Sequence, residues 1–156
     1  MNVTVVAVGS PAKLLEGPIR EFESRAARYW KVTTTEVAPE KASRNRPVAE
    51  VRAAEGERLR AAAPAGTELV ALTRAGRRWS SRDLARYLNE LAVRAAAGAT
   101  FVIGGAYGLD RKLVREARHQ LSLSDLTLPH DLARLILAEQ LYRAGTIVRG
   151  EPYHKG

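Results

Sequence analysis

The sequence predicts a single α/β domain built on a parallel sheet. Three observations lead there. Short strand-like runs alternate with segments whose apolar residues recur every three to four positions, the pattern of consecutive βα units covered on both faces. Several of the strand-like runs are closed by Gly, Ser or Pro, the residues that end regular structure. The chain has 156 residues with no internal repeat or low-complexity linker, a length that suits one domain able to bury roughly two-thirds of its unfolded surface.

Each element follows in order. Val3, Val5, Val6, Ala7 and Val8 make a buried strand stopped at Gly9-Ser10-Pro11. Leu15, Ile19, Phe22, Ala26 and Tyr29 are spaced 4, 3, 4 and 3 apart, so they share one helix face. Val32–Val37 is a second strand, and Pro39–Pro47, polar and basic, is expected to be a mobile loop. Residues 48–63, rich in Ala, Glu and Arg, form a helix stopped by Pro64-Ala65-Gly66. Glu68–Thr73 is a third strand leading into a basic turn, Arg74–Arg78. Ser80 or Ser81 caps the next helix, with Asp83 in its first turn and Leu84, Leu88 and Leu91 on its apolar face. Gly98 is expected to end that helix. Thr100–Ile103 is the fourth strand, running into Gly104-Gly105, and a helix is expected over about Asp110–His119. The alternating run Leu121–Pro129 predicts a fifth strand and a loop, and Leu132, Leu135, Ile136, Ala138 and Leu141 mark the last helix.

Composition narrows the function classes. Lys and Arg total 25 against 17 Asp and Glu, a net charge of +8. Such a surplus points to a polyanionic partner, nucleic acid foremost, with a solubilising Arg-rich surface as the alternative. The charge is uneven: residues 1–70 carry 11 bases and 9 acids, residues 71–156 carry 14 and 8. The chain has no cysteine, which excludes disulfides, thiolate catalysis and Cys-based zinc sites and suggests a cytoplasmic protein. The apolar start lacks a basic leader and stops at Gly9, so it reads as a strand, and no run approaches the roughly 18 apolar residues of a membrane span.

Ligands of parallel sheets bind at the carboxyl ends of strands. That rule selects Leu72-Thr73, Gly104-Gly105 and Asp125–Pro129. In Val102–Leu109 the paired glycines permit close backbone approach to a ligand, and the following helix start favours negative groups; a plain strand-to-helix turn is the alternative. A dinucleotide fingerprint fails there, because Ile103 stands where the first glycine is needed. Ser122–His130 offers hydroxyls and backbone between apolar side chains, suited to gripping an aromatic ring or to serving as an edge strand. The C-terminal group of Tyr142, Arg143, Arg149, Tyr153, His154 and Lys155 interleaves aromatics with cations, as base stacking and phosphate contact require; a disordered tail is the other reading. His119, His130 and His154 lack metal-ligand spacing, and no P-loop or Gly-x-Ser-x-Gly elbow occurs.

Taken together, five segments resemble one known family. They are Val6-Ala7-Val8-Gly9, Phe101–Gly105 followed by Gly108-Leu109, Leu121–His130, Glu139–Ala144 and Arg149–Lys155. Their order and spacing over essentially the whole chain are similar to the RlmH family, the large-subunit ribosomal RNA pseudouridine methyltransferases of the SPOUT class. The resemblance implies one domain over residues 1–156 with a C-terminal trefoil knot, a homodimer whose sites are completed by the partner's surface, and S-adenosyl-L-methionine as cofactor with no metal. The cofactor site it implies is Leu72, Gly105 and the run Ser124, Asp125, Leu126, Thr127, Leu128 and Pro129. Thr73 stands where an acidic residue is expected in some relatives.

The implied reaction is methyl transfer to N3 of a pseudouridine in 23S rRNA, in the large subunit or the whole ribosome. The neutral N3–H lies between two carbonyls and is a poor nucleophile, so the reaction needs its proton removed and the resulting charge stabilised. Arg143 or His154 is expected to do this, with His130 and Tyr153 orienting the base; His130 could equally be a helix cap. Arg74, Arg77, Arg78, Arg82 and Arg86 are expected to form the RNA-docking stripe, spanning the basic turn and one helix face, with 78, 82 and 86 four apart. The alternatives are a non-catalytic RNA- or ribosome-binding factor and a SPOUT methyltransferase with another RNA target.

Overall fold

Strand and helix alternate throughout the computed structural model, which describes residues 1–155. The order is β1 (Asn2–Val8), α1 (Lys13–Ala26), β2 (Lys31–Val37), α2 (Val48–Ala62), β3 (Glu68–Arg78), α3 (Ser81–Val93), β4 (Gly98–Ile103), α4 (Arg111–Glu116), β5 (His119–Ser122) and α5 (His130–Arg149), closed by a 3-10 turn over Pro152–His154. The five strands form one parallel sheet in the order β2-β1-β4-β3-β5. This bears out the predicted fold class.

The pleat divides the apolar side chains between two layers. Val3, Val5 and Ala7 of β1 and Phe101 and Ile103 of β4 pack with Leu84, Leu88 and Leu91 of α3 and with Leu137 and Leu141 of α5. Val6, Val8, Ala71 and Val102 face the other way, onto Leu59 of α2 and Leu113 of α4. The central strands are therefore buried on both sides, and their register (Ala7 beside Ile103, Ala71 beside Val102) brings their carboxyl ends to one rim.

The 20-residue α5 covers the first layer between α1 and α3. Trp30 Nε1 donates to the Leu141 carbonyl at 2.9 Å. Nearly buried Arg134 reaches Glu36 at 3.2 Å and Glu23 at 3.6 Å. A Cβ at Gly145 would overlap the Tyr29 ring, so glycine there allows close approach of the turn that follows α1.

The structure corrects several boundaries. Ser80, not Ser81, caps α3: its Oγ accepts from Asp83 N at 3.1 Å while the Asp83 carboxylate accepts from Ser80 N at 2.8 Å. These donors hold the Asp83 carboxyl below its ordinary pKa. Gly98 does not end α3; Ala95 turns with φ 53° and Gly98 begins β4 against the Asn2 carbonyl. The loop expected to be mobile, Pro39–Pro47, is tied to α2 because Glu40 pairs with Arg58 and Arg46. Helix α4 stops at Glu116, and the fifth strand, His119–Ser122, begins two residues earlier than expected and leaves most of Leu121–Pro129 as loop.

The largest difference lies at Arg74–Arg78. This segment is not a turn but the continuation of β3, which pairs Leu72 with Leu121, bulges over four residues and pairs again through Arg77 and Arg78 with Leu121 and Ser122. Gly76 makes it possible: a Cβ there would sit 2.6 Å from the Gln120 carbonyl carbon and 2.8 Å from Leu121 N. Arg78 consequently lies on a strand, so the expected helical stripe 78-82-86 is reduced to Arg82 and Arg86 on α3.

Candidate active site

Three of the connections at the rim carry the expected site residues: the bulged end of β3, the turn after β4, and the segment between β5 and α5. The turn is set by its glycines. Gly108 N donates to the Gly105 carbonyl at 3.1 Å, and Gly108 has φ +81°. A Cβ on Gly104 would lie 2.7 Å from the Gly108 carbonyl carbon. Gly105 itself faces inward, its missing Cβ 3.0 Å from Val8 Cγ1 and 3.3 Å from both Glu55 carboxylate oxygens.

Glu55, beside Gly105, is a candidate site residue that the sequence reading missed. Its side chain is buried, one oxygen accepts from Glu40 N at 3.0 Å, and Oε1 has no partner among the described residues. The signal was present: Val51, Glu55 and Leu59 are four apart and all buried, so a carboxylate occupies an apolar stripe of α2. A buried carboxylate oxygen without a donor favours a ligand that brings a proton or a positive charge.

The segment after β5 is shaped by short-range bonds. Ser122 Oγ donates to the Ser124 carbonyl at 2.9 Å, and Leu126 N donates to Ser124 Oγ at 2.9 Å. The bulge of β3 grips it from the side: Arg74 donates to Thr127 Oγ1 at 2.9 Å and Arg78 to Asp125 at 2.9 Å. Leu126 remains 74% exposed and Leu128 is half-buried. Leu72, half-buried at the last regular pair of β3 and β5, adjoins the same segment. The structure thus joins Leu72 to Ser124–Pro129 through the β3–β5 pair and sets Gly105 at the end of the neighbouring strand β4.

The expected catalytic residues separate into two groups along α5. His130 is its first helical residue; Pro129, not His130, occupies the cap position. Arg143 lies 13 residues on, about 20 Å along the helix. Around it the C-terminal turn is docked rather than left as a free tail. Glu139 accepts from Arg143 Nη2 at 2.6 Å and from the Tyr153 hydroxyl at 2.9 Å. The Arg143 guanidinium stands 4.9 Å above the Tyr153 ring, which packs on Tyr142 at 4.5 Å. The bond to Glu139 raises the Arg143 pKa, so it stays cationic; burial, then Glu139, raises that of Tyr153, so its hydroxyl stays a donor. His154 Nδ1 is buried without a partner among the described residues. Glu139 was also overlooked, although a Glu four residues ahead of an Arg is a readable helix pair.

Of the expected docking stripe, Arg86 is paired with Asp83 at 3.2 Å and Arg78 with Asp125, whereas Arg77 and Arg82 are exposed without an acidic partner among the described residues. Among those residues there is no group of three His, Cys, Asp or Glu side chains placed to hold a metal, and no helix long and apolar enough to cross a membrane.

Comparison with known proteins matches residues 1–154 to the family described as "Predicted SPOUT methyltransferase". The chain is 46% identical over 156 residues to the ribosomal RNA large subunit methyltransferase H of Gemmatimonas aurantiaca, covering 99% of this chain and 100% of the relative. The proteins of the same name from Acetivibrio thermocellus and Listeria welshimeri are 43% and 42% identical over 159 residues, again with 99% and 100% covered.

Proposed function

The chain belongs to the SPOUT methyltransferase family, and on that footing we propose that it methylates N3 of a pseudouridine in 23S rRNA with S-adenosyl-L-methionine as donor. The observation that carries this reading is the full-length likeness to proteins named ribosomal RNA large subunit methyltransferase H. The rim geometry supports it. The residues there suit a sulfonium donor: glycine backbone at 104–108 admits close approach, Leu72 and Leu128 offer apolar walls, and the orphan Glu55 oxygen favours a cationic ligand. Leu72, Gly105 and Ser124–Pro129 would hold it, within the C-terminal part that we read as the family's trefoil knot. When bound, the donor supplies a methyl group already activated by its positive sulfur.

The protein's own groups then act on the base. Arg143, kept cationic and oriented by Glu139, faces the negative charge that spreads over N3 and its flanking carbonyls as the proton leaves. His154, with a buried Nδ1 lacking a partner, is the proton acceptor. Tyr153 donates a hydrogen bond, and His130 completes the positioning of the base. His130 and Arg143 stand about 20 Å apart on one helix, which supports a homodimer in which one copy's rim meets the other's C-terminal cluster. The protein would act in the cytoplasm on large subunits or whole ribosomes, through Arg74, Arg77, Arg78, Arg82 and Arg86.

The test is incubation with radiolabelled donor and either large subunits or whole ribosomes, followed by mass-spectrometric mapping. One methyl group on a pseudouridine of 23S rRNA is expected. Donor binding without label in any rRNA would overturn the reaction, and label on another base would reassign the target.

A further inference from the structure

We infer that α4 and the bulge of β3 form a groove for a single-stranded segment of RNA, with phosphates on Arg111, Arg115 and Arg118 and one base in the hollow beside Trp79. The inference rests on the rRNA reading above but uses none of the residues assigned there to donor or methyl transfer.

Charge is the first observation. Arg111, Lys112, Arg115 and Arg118 crowd eight positions, and none has a carboxylate partner among the described residues. Arg111 and Arg115 are one helical turn apart, so their like charges repel across one face unless an anion lies between them. The expected stripe on β3 and α3 is partly neutralised by contrast, since Arg78 and Arg86 are engaged by Asp125 and Asp83.

Shape is the second. Two hollows lie side by side with Ala75 in the wall of each. One, about 470 Å³, is bounded by Arg52, Tyr107, Arg111 and Arg115; Arg52 is fixed there by donating to the Tyr107 carbonyl at 2.6 Å. The other, about 500 Å³, is bounded by Trp79, Arg118, His119 and Gln120. Trp79 is only partly buried, with His119 edge-on at 5.2 Å and Tyr87 at 5.1 Å. A cationic hollow next to one with an aromatic wall is the alternation that a phosphate followed by a base demands. An acidic peptide would satisfy the first hollow and leave the second without a flat partner. Ala75, within the four residues over which the β3–β5 register shifts, lines both.

The test uses a fluorescein-labelled 20-nucleotide single-stranded RNA, read by anisotropy from 50 to 300 mM salt. The variant R111E/R115E/R118E is compared with K13E/R20E/R28E, which makes the same net charge change through exposed residues of α1 and the turn after it. The α4 variant is expected to bind at least tenfold more weakly, with a salt slope smaller by about 2, as three lost phosphate contacts require; the control is expected to stay within threefold. RNA should quench tryptophan emission, and the quench should vanish in W79F. Equal losses in the two triple variants, no RNA binding by the unaltered protein, or a quench unchanged in W79F would overturn the groove. Calorimetry with S-adenosylmethionine separates the two readings. Donor heat kept in all variants leaves the groove as the only thing tested, and no heat in the unaltered protein counts against the methyltransferase site while the anisotropy still decides the groove.

Discussion

Replacing Gly76 by alanine drives a Cβ into the backbone of β5. The added carbon would lie 2.6 Å from the Gln120 carbonyl carbon, 2.7 Å from its oxygen and 2.8 Å from Leu121 N. These are main-chain atoms, so no rotamer relieves the overlap, and β3 and β5 must part by roughly 1 Å to reach ordinary contact. Strand β5 has four residues and pairs with β3 alone, so the displacement falls on it. Overpacking of this kind costs about 2 kcal/mol, or about 4–8 °C in Tm for a chain of this size. Ser124 follows β5 by two residues, and Arg74 and Arg78 grip the same segment from the strand being pushed away. The segment proposed to hold the donor is therefore expected to lose its shape, with the Kd for S-adenosylmethionine rising at least tenfold. Ser80→Ala is the control. It removes the α3 cap at a cost of about 1 kcal/mol but leaves the β3–β5 contact at Gly76 and the Arg74 and Arg78 bonds in place, so its donor affinity should stay unchanged. Scanning calorimetry and titration calorimetry measure both quantities. A Gly76→Ala protein melting within about 1 °C of the original and binding donor equally well would refute the reasoning.

Other outcomes follow from single side chains. Arg143→Ala is expected to fold and bind donor normally yet lose about 10²–10³-fold in kcat on ribosomes, because a charge-stabilising donor is removed; undiminished turnover would take Arg143 out of the mechanism. Burial lowers the pKa of His119 below its ordinary 6.5, against the attraction of Glu68 and with help from Arg118. The unfolded chain then binds a proton that the native state refuses, so stability is full above about pH 6.5 and falls as pH drops through it. His119→Gln should flatten the Tm profile between pH 5 and 7, whereas Asp83 and Glu40, whose pKa values are lowered, act only further into acid. The Tyr29 hydroxyl donates to Glu151, which with burial pushes its pKa up to about 12. Tyr29→Phe should free the C-terminal turn, seen as faster amide exchange over residues 151–155 and reduced methyl transfer at unchanged donor affinity.

Legibility in the sequence tracks the range of the forces involved. Strands β1 and β4 are dense in β-branched side chains, and α3 announces itself through Ser80, Asp83 and its leucine spacing, so local pattern sufficed. The continuation of β3 did not, because Arg74-Ala75-Gly76-Arg77-Arg78 has turn composition and becomes strand only when β5 arrives beside it. The period-two pattern of Leu121–Leu128 persists beyond the ladder, but the Ser122 bond to Ser124 and the two arginines hold that stretch as a loop. Motif matching located the rim segments at Leu72, Gly105 and Ser124–Pro129. It could not show Glu55 behind Gly105, which depends on the packing of α2 on β1, nor the distance along α5 between His130 and Arg143.

Helix α5 follows every strand of the sheet in chain order, yet it roofs the apolar layer made by Val3, Val5, Phe101, Leu84 and Leu88. Chains emerge N-terminus first, at about 5–20 residues per second, so a nascent molecule carries that layer bare until residues 130–149 have followed. A chain interrupted before then has rim glycines but no roof and no C-terminal cluster, and its uncovered sheet is a target for chaperones and proteases. Maturation of the catalyst is thereby bound to the emergence of α5.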